Sequence, residues 1–270
     1  MGIVEVRKMK LLALLAERKR MTVEEVAEYF GVSLPTARLL CSKLSNEGKA
    51  FREHGGIRYL PRIKTEYVMA EAKKEFANEK HSIARYASQI IQDNCLVFLE
   101  AGSTVFELAV ALADRIQNGE LEHLVLFTNS MSNLGVLSQV SEVSLIGGRY
   151  RIQQQDFRGY LSDRMISMLR FDYVFLGCDG ISLKNGIMAL DMETVQFVEL
   201  LMQRADKIVL LADSAKFQQN SLITSIPADQ ISLIVTDSEL DDDIYNSFKD
   251  ANINIVRVDS PKLEPNIESA

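Results

Sequence analysis

Apolar positions in the first sixty residues recur every three or four places, whereas beyond residue 80 they gather into short runs separated by helical stretches. Met9, Leu12, Ala13 and Ala16 predict a helix over about residues 4–18. Val23, Val26, Ala27 and Phe30 predict a second, short helix with one buried stripe. Thr22 can cap it, and Glu25 stands three residues on, the spacing of a capping box. Gly31 supplies the left-handed residue that closes this helix and opens a tight turn. Ser33 then caps a third helix, with Pro35 in its first turn where the missing N–H costs nothing. The stripe of that helix is Ala37, Leu40, Cys41 and Leu44, which leaves Thr36, Arg38, Leu39, Ser42 and Lys43 outward; Gly48 stops it. Extended pieces at 50–52 and 57–59, joined by Glu53-His54-Gly55-Gly56, complete the pattern of a winged helix-turn-helix.

The later apolar runs lie at 95–99, 124–127, 143–146, 173–176, 208–211, 231–235 and 253–256, and helical periodicity fills 106–113, 161–169 and 194–204. Strand–helix alternation implies right-handed crossovers and a mostly parallel sheet covered on both faces. The fold class is therefore α/β. It comprises an N-terminal winged helix-turn-helix at 1–60, a charged linker at 61–80, an α/β domain at 81–260 and a frayed tail at 261–270.

Charge adds to the pattern. Residues 1–64 hold 13 Lys and Arg against 7 Asp and Glu, and the rest of the chain holds 17 against 30, so an acidic protein of net charge −7 has a basic first quarter. A small helical packing unit with no partner would match the helix pattern as well. The local positive balance favours a phosphate-binding face, and hence DNA. The candidate DNA contacts are Ser33, Thr36, Arg38, Ser42 and Lys43 on the third helix, with Arg52 and His54 on the wing.

No apolar run reaches the roughly 18 residues of a membrane helix, and no signal peptide is recognisable. Cys41, Cys95 and Cys178 are too scattered for a disulfide framework or a zinc site, and His54, His81 and His123 form no ligand cluster. The expectation is a cytoplasmic protein without metal or cofactor.

Parallel sheets bind ligands beyond the carboxyl ends of their strands. There the residues are small and polar: Glu100-Ala101-Gly102-Ser103-Thr104, Thr128-Asn129-Ser130, Gly147-Gly148-Arg149, Gly177-Cys178-Asp179-Gly180 and Asp213-Ser214-Ala215-Lys216. Gly102, Ser103 and Thr104 lead into a helix, so backbone N–H groups, two hydroxyls and the helix dipole make an anion site. Thr128, Asn129 and Ser130 repeat that chemistry one strand on, and Arg149 or Lys216 adds charge. Asn129 and Asp179 suit sugar hydroxyls, and Glu100 and Gly148 complete the candidate ligand set. Any one of these loops is equally an ordinary turn or helix cap. Several on one sheet edge, with a lysine, point to a phosphorylated small ligand.

Val32-Ser33, Thr36-Ala37-Arg38, Arg52-Glu53-His54-Gly55-Gly56, Lys80, Ile83-Ala84, Ala101-Gly102-Ser103-Thr104, Thr128-Asn129-Ser130, Gly147-Gly148, Phe175-Leu176-Gly177-Cys178-Asp179-Gly180 and Ala212-Asp213-Ser214-Ala215-Lys216-Phe217 follow one another in a specific order. In these pieces the chain resembles the DeoR-type bacterial transcriptional regulators over nearly its whole length. The resemblance implies a second domain with the fold of ribose-5-phosphate isomerase and related enzymes. It also implies a repressor of a carbohydrate-utilisation operon, relieved by a phosphorylated sugar. On that fold Gly102, Ser103 and Thr104 hold the phosphate, and Asn129, Asp179 and Lys216 contact the ligand. Double-stranded operator DNA is the expected partner, read by a homodimer or homotetramer, because one recognition helix rarely gives enough affinity.

Two positions depart from the family pattern. Leu39-Leu40 follows Arg38 where the family shows Thr-x-Arg-Arg-Asp, and Glu100 stands where an aspartate is usual. The alternative is a phosphosugar isomerase or deaminase with a DNA-binding appendage, using Glu100, Asp179 or Glu193 as base. A pure protein-interaction scaffold would leave both the basic face and the polar loops without a use.

Overall fold

A computed structural model describes residues 3–46, 50–53, 55–59 and 67–259 in two compact units, Met1–Ile63 and Lys64–Ala270. The first unit runs α1 (Ile3–Arg18), β1 (Arg20–Thr22), α2 (Val23–Phe30), α3 (Leu34–Asn46), β2 (Ala50–Glu53) and β3 (Gly56–Tyr59). The capping box closes on α2: Thr22 N donates to Glu25 Oε2 at 2.7 Å, and Glu25 N to Thr22 Oγ1 at 3.2 Å. Gly31 ends the helix at φ 59°.

Leu11 and Leu15 of α1 meet Val23 and Val26 of α2, Ala37, Leu40, Cys41 and Leu44 of α3, and Ala50 and Ile57 in one core. The face of α1 differs from expectation. Leu11 and Leu15 are the buried apolar positions among the described residues, while Met9 and Ala13 are exposed. The apolar run 11–16 offers two overlapping stripes, and packing against α3 selects one of them. A third strand, β1, also joins the wing in the antiparallel order β1-β3-β2. Three residues are too short to register as a period, and only the buried Met21 marks the strand. Gly56 is demanded by that pairing, since a Cβ there would meet Met21 O at 2.6 Å. Gly48, His54 and residues 261–270 lie outside the described residues.

The second unit begins with α4 (Met69–Ala72), α5 (Ala77–Ser88), β4 (Leu96–Leu99), α6 (Ser103–Gln117), β5 (Val125–Thr128), α7 (Met131–Leu137) and β6 (Val143–Leu145). A hairpin follows, β7 (Arg149–Arg151) and β8 (Asp156–Arg158), then α8 (Tyr160–Ser167) and β9 (Phe171–Leu176). It continues with β10 (Gly180–Ser182), β11 (Gly186–Ala189), α9 (Met192–Met202), β12 (Ala205–Leu211) and β13 (Ile223–Thr224). The last elements are β14 (Leu233–Asp237), α10 (Asp242–Asp250) and β15 (Ile255–Val258).

Each of the seven expected apolar runs supplies one strand of a parallel sheet in the order β15-β14-β12-β9-β4-β5-β6. Alternate residues feed two cores. Val97, Leu99, Leu126 and Val209 pack on one face with α5 and α6; Phe98, Val174, Leu176 and Leu210 pack on the other with α8 and α9. Burying side chains of this size contributes roughly 1.5–3 kcal/mol each.

The chain leaves β4 toward β5 and β6, then returns to lay β9 on the other side of β4 and continues outward. The sheet therefore has its switch point between β4 and β9, where parallel sheets open a crevice. Small antiparallel pieces, β7-β8 and β10-β11-β13, lie beyond the parallel sheet. Part of the span expected as linker, 61–80, belongs to the second unit. Described residues resume at Tyr67 and α4 begins at Met69, with Met69 and Lys80 buried. Lys80 Nζ is accepted there by Ala72 O and Glu75 O, so a charge that reads as solvent-facing is used to close α4 onto α5.

Candidate functional site

In the first unit α3 buries Ala37, Leu40, Cys41 and Leu44 and exposes Ser33, Thr36, Arg38, Leu39 and Lys43. Ser33 Oγ and Thr36 Oγ1 are 2.9 Å apart at the start of the helix. Ser42 is half-buried. Its hydroxyl donates to Arg38 O at 2.8 Å and accepts a hydrogen bond from the Arg52 guanidinium. Arg52 thus holds the wing strand β2 against the recognition helix, besides presenting charge. Arg7 of α1 shares a shallow hollow with Thr36, Leu39 and Lys43, adding a cation beside α3. Sequence reasoning passed over Arg7, because it precedes the apolar positions that define α1.

In the second unit a cavity of about 160 Å³ opens at the switch point, lined by the β4, β9 and β12 ends together with the β7–β8 hairpin. Six expected ligand residues meet there: Glu100, Gly102, Ser103, Thr104, Asp179 and Lys216. Gly102 stands at the N-cap of α6, whose first residues are Ser103 and Thr104, so the helix start, with amides that have no partner within the helix, lines the cavity. Asp179 Oδ2 accepts from Leu190 N at 3.0 Å. Burial pushes the Cys178 thiol beside it up to about 12, against the opposing charge of Lys216.

Five expected contacts do not reach the cavity. Thr128, Asn129 and Ser130 are fully buried behind it. Thr128 Oγ1 donates to Leu99 O at 2.7 Å, and Asn129 Oδ1 accepts from Ala101 N at 3.1 Å while its Nδ2 donates to Phe157 O at 3.3 Å. Ser130 caps α7 through Asn133 N. Thr128 and Asn129 thus tie down the segment that leads to Gly102. Gly148 packs so closely that a Cβ would meet Ser162 Oγ at 2.3 Å, and exposed Arg149 pairs with Glu193 outside.

The hairpin adds residues that the strand ends did not suggest. Arg158, fully buried, bonds Glu100 and lies 3.2 Å from Asp156, with its guanidinium 4.2 Å above the Phe197 ring. Arg151 grips Asp156 through two bonds of 2.7 Å and reaches Asp191 at 3.0 Å and Thr194 at 3.3 Å. Burial raises the Glu100 carboxyl to about 7, although Arg158 opposes it. Asp191 moves the other way. Burial would raise it, but bonds from Thr194 and the charge of Arg151 hold it below the usual carboxylate range. Both arginines are therefore spoken for by carboxylates. Lys216 is the third cation of the cavity lining. Tyr67, from the span expected as linker, also lines the cavity.

Among the described residues no helix is long and apolar enough to cross a membrane, and no cluster of three metal-ligating side chains occurs.

Residues 7–62 match the family model for a DeoR-like helix-turn-helix domain, and residues 75–238 match that for a DeoR C terminal sensor domain. The HTH-type transcriptional regulator IolR of Bacillus subtilis is 28% identical over 237 residues, covering 87% of this chain and 91% of its own. The putative aga operon transcriptional repressor of Escherichia coli O157:H7 is 26% identical over 256 residues, covering 93% of each. Among solved structures, ribose 5-phosphate isomerase A of Methanocaldococcus jannaschii aligns with a TM-score of 0.38 at 19% identity, over 51% of this chain and 53% of that one.

Proposed function

This chain belongs to the DeoR family of transcriptional regulators, and we propose that it represses a carbohydrate-utilisation operon until a phosphorylated sugar occupies its second unit. It is a DNA-binding regulator, and its relatives carry regulatory names. The observation that carries the effector reading is the meeting of the α6 amides at Gly102, Ser103 and Thr104 with Lys216 and Asp179 in one cavity. The amides and the helix dipole suit a phosphate, Lys216 adds a point charge, and Asp179 accepts from a sugar hydroxyl. On the first unit, Thr36, Arg38 and Lys43 are the residues we assign to DNA, with Leu39 able to meet a thymine methyl. The protein works in the cytoplasm, where its operator is, as a homodimer or homotetramer that engages paired half-sites.

The isomerase alternative is not favoured. The matched families and relatives are transcriptional regulators, and of the three candidate bases Glu100 is bonded to Arg158, Glu193 to Arg149, and Asp179 accepts from Leu190 N. A gel-shift titration of the full chain on the DNA upstream of its own gene tests the reading. One member of a panel of phosphorylated pentoses, hexoses and polyols should release the complex. A panel that leaves binding unaltered would sink the effector assignment.

A further inference from the structure

One polar contact in the cavity occupies a position that a phosphoryl group would need. The Tyr67 hydroxyl accepts the hydrogen bond of the Ser103 backbone N–H at 3.0 Å, and itself donates toward Met69 Sδ at 3.4 Å. Ser103 is the first residue of α6, so its amide belongs to the set that has no partner within the helix. A phenol takes up one of the donors from which an anion site would be built.

We propose that Tyr67 is the effector's competitor: a phosphoryl group binding at α6 takes the Ser103 N–H from Tyr67 and drives Tyr67, with the segment that follows it, off the helix. The proposal rests on reading the cavity as a sugar-phosphate site. Charge decides the contest. An N–H bond to a phosphate dianion is roughly twice as strong as one to a neutral oxygen, and the dianion also gains from the helix dipole. Tyr67 cannot answer by ionising, because burial pushes its hydroxyl up to about 12.

The segment it would pull on is held by identifiable contacts. Met69 N donates to Gln153 O in the β7–β8 turn at 2.9 Å, and Lys73 reaches Ser132 Oγ at 3.3 Å while lying over the Phe106 ring of α6. Tyr67 comes eight positions after Tyr59, the last described residue of the wing. Tyr67 is thus the first described residue of the second unit, next along the sequence to the DNA-binding unit.

The test compares the full wild-type chain with Tyr67→Phe, which keeps the ring and removes only the hydroxyl. The probe is inorganic phosphate at constant ionic strength. Calorimetry should give about three- to tenfold tighter phosphate binding by the variant, the range expected for removing one competing hydrogen bond. Hydrogen exchange over residues 69–74 should rise when phosphate is added to wild type. In the variant it should be raised already and no longer respond. Equal affinities with unmoved exchange overturn the proposal while leaving the cavity a phosphate site. Weaker binding by the variant makes Tyr67 a ligand contact and overturns it too. If wild type binds neither inorganic phosphate nor any phosphorylated sugar, the reading of the cavity falls and the proposal falls with it. The exchange measurement on wild type decides the matter alone if the variant does not fold.

Discussion

Arg158 divides one buried guanidinium between Glu100 and Asp156, and this sharing makes it costly to remove. Arg158→Met keeps most of the volume and the contact with Phe197 but leaves the buried Glu100 carboxyl without its cation and Asp156 with Arg151 alone. The expected loss is about 3–5 kcal/mol in urea unfolding, and adding Glu100→Gln should return part of it, because the pair is coupled. Glu100 also gives the protein a pH dependence of definite sign. Its folded value of about 7 lies above the ordinary carboxylate value of 4.5, so the folded chain holds that proton more tightly than the unfolded chain does. The resulting stability is complete below pH 4.5 and is lost as pH rises through 7. Relative to Glu100→Gln, wild type should lose about 3 kcal/mol between pH 4 and pH 8. A flat difference across that range would show that Arg158 keeps Glu100 ionised throughout.

Elements position these residues, and α3 does so most simply. Its buried and exposed faces follow from Ala37, Leu40, Cys41 and Leu44 alone. Lys43→Ala should weaken binding to all DNA sequences alike and lower the slope of log K against log salt by about 0.9, as one lost phosphate contact requires. Binding that keeps its slope would place Lys43 off the DNA. Gly148→Ala tests a different element. At φ 153° its Cβ would press on Ser162 Oγ and on Arg158 O, so the β7–β8 hairpin must shift and carry Arg151 and Arg158 with it. The variant should unfold at lower urea concentration although it removes no ligand contact.

The same contrast explains what was legible in the chain. The parallel strands announce themselves because strands buried on both faces read as continuous apolar runs. The loop at Gly102, Ser103 and Thr104 was legible because it joins a strand end to a helix start. Thr128, Asn129 and Ser130 have the same composition, yet sequence does not distinguish a hydroxyl that meets a ligand from one that ties down a neighbouring loop. Arg151, Arg158 and Tyr67 come from a short hairpin and from the edge of the expected linker. No periodicity reports a side chain that reaches the site from outside the sheet.

At the scale of the molecule, the 63 residues of the first unit and the 207 of the second have separate cores, and the proposed function assigns each its own ligand. A unit as small as the first buries a smaller fraction of its surface and is the more marginal of the two. Calorimetry of the full chain should therefore resolve two transitions. A phosphorylated sugar at 100 times its Kd adds about 2.7 kcal/mol to the unit that holds it. In a unit of this size that corresponds to an upward shift of roughly 5–10 °C, confined to the second transition. Operator DNA should move only the first. With both present the shifts should not add. Linkage requires the sugar to reduce the shift from DNA by the same free energy by which DNA reduces the shift from the sugar, about 1–3 kcal/mol for a typical regulator. Additive shifts would mean that the two units bind independently, and a regulator built from them would have no switch.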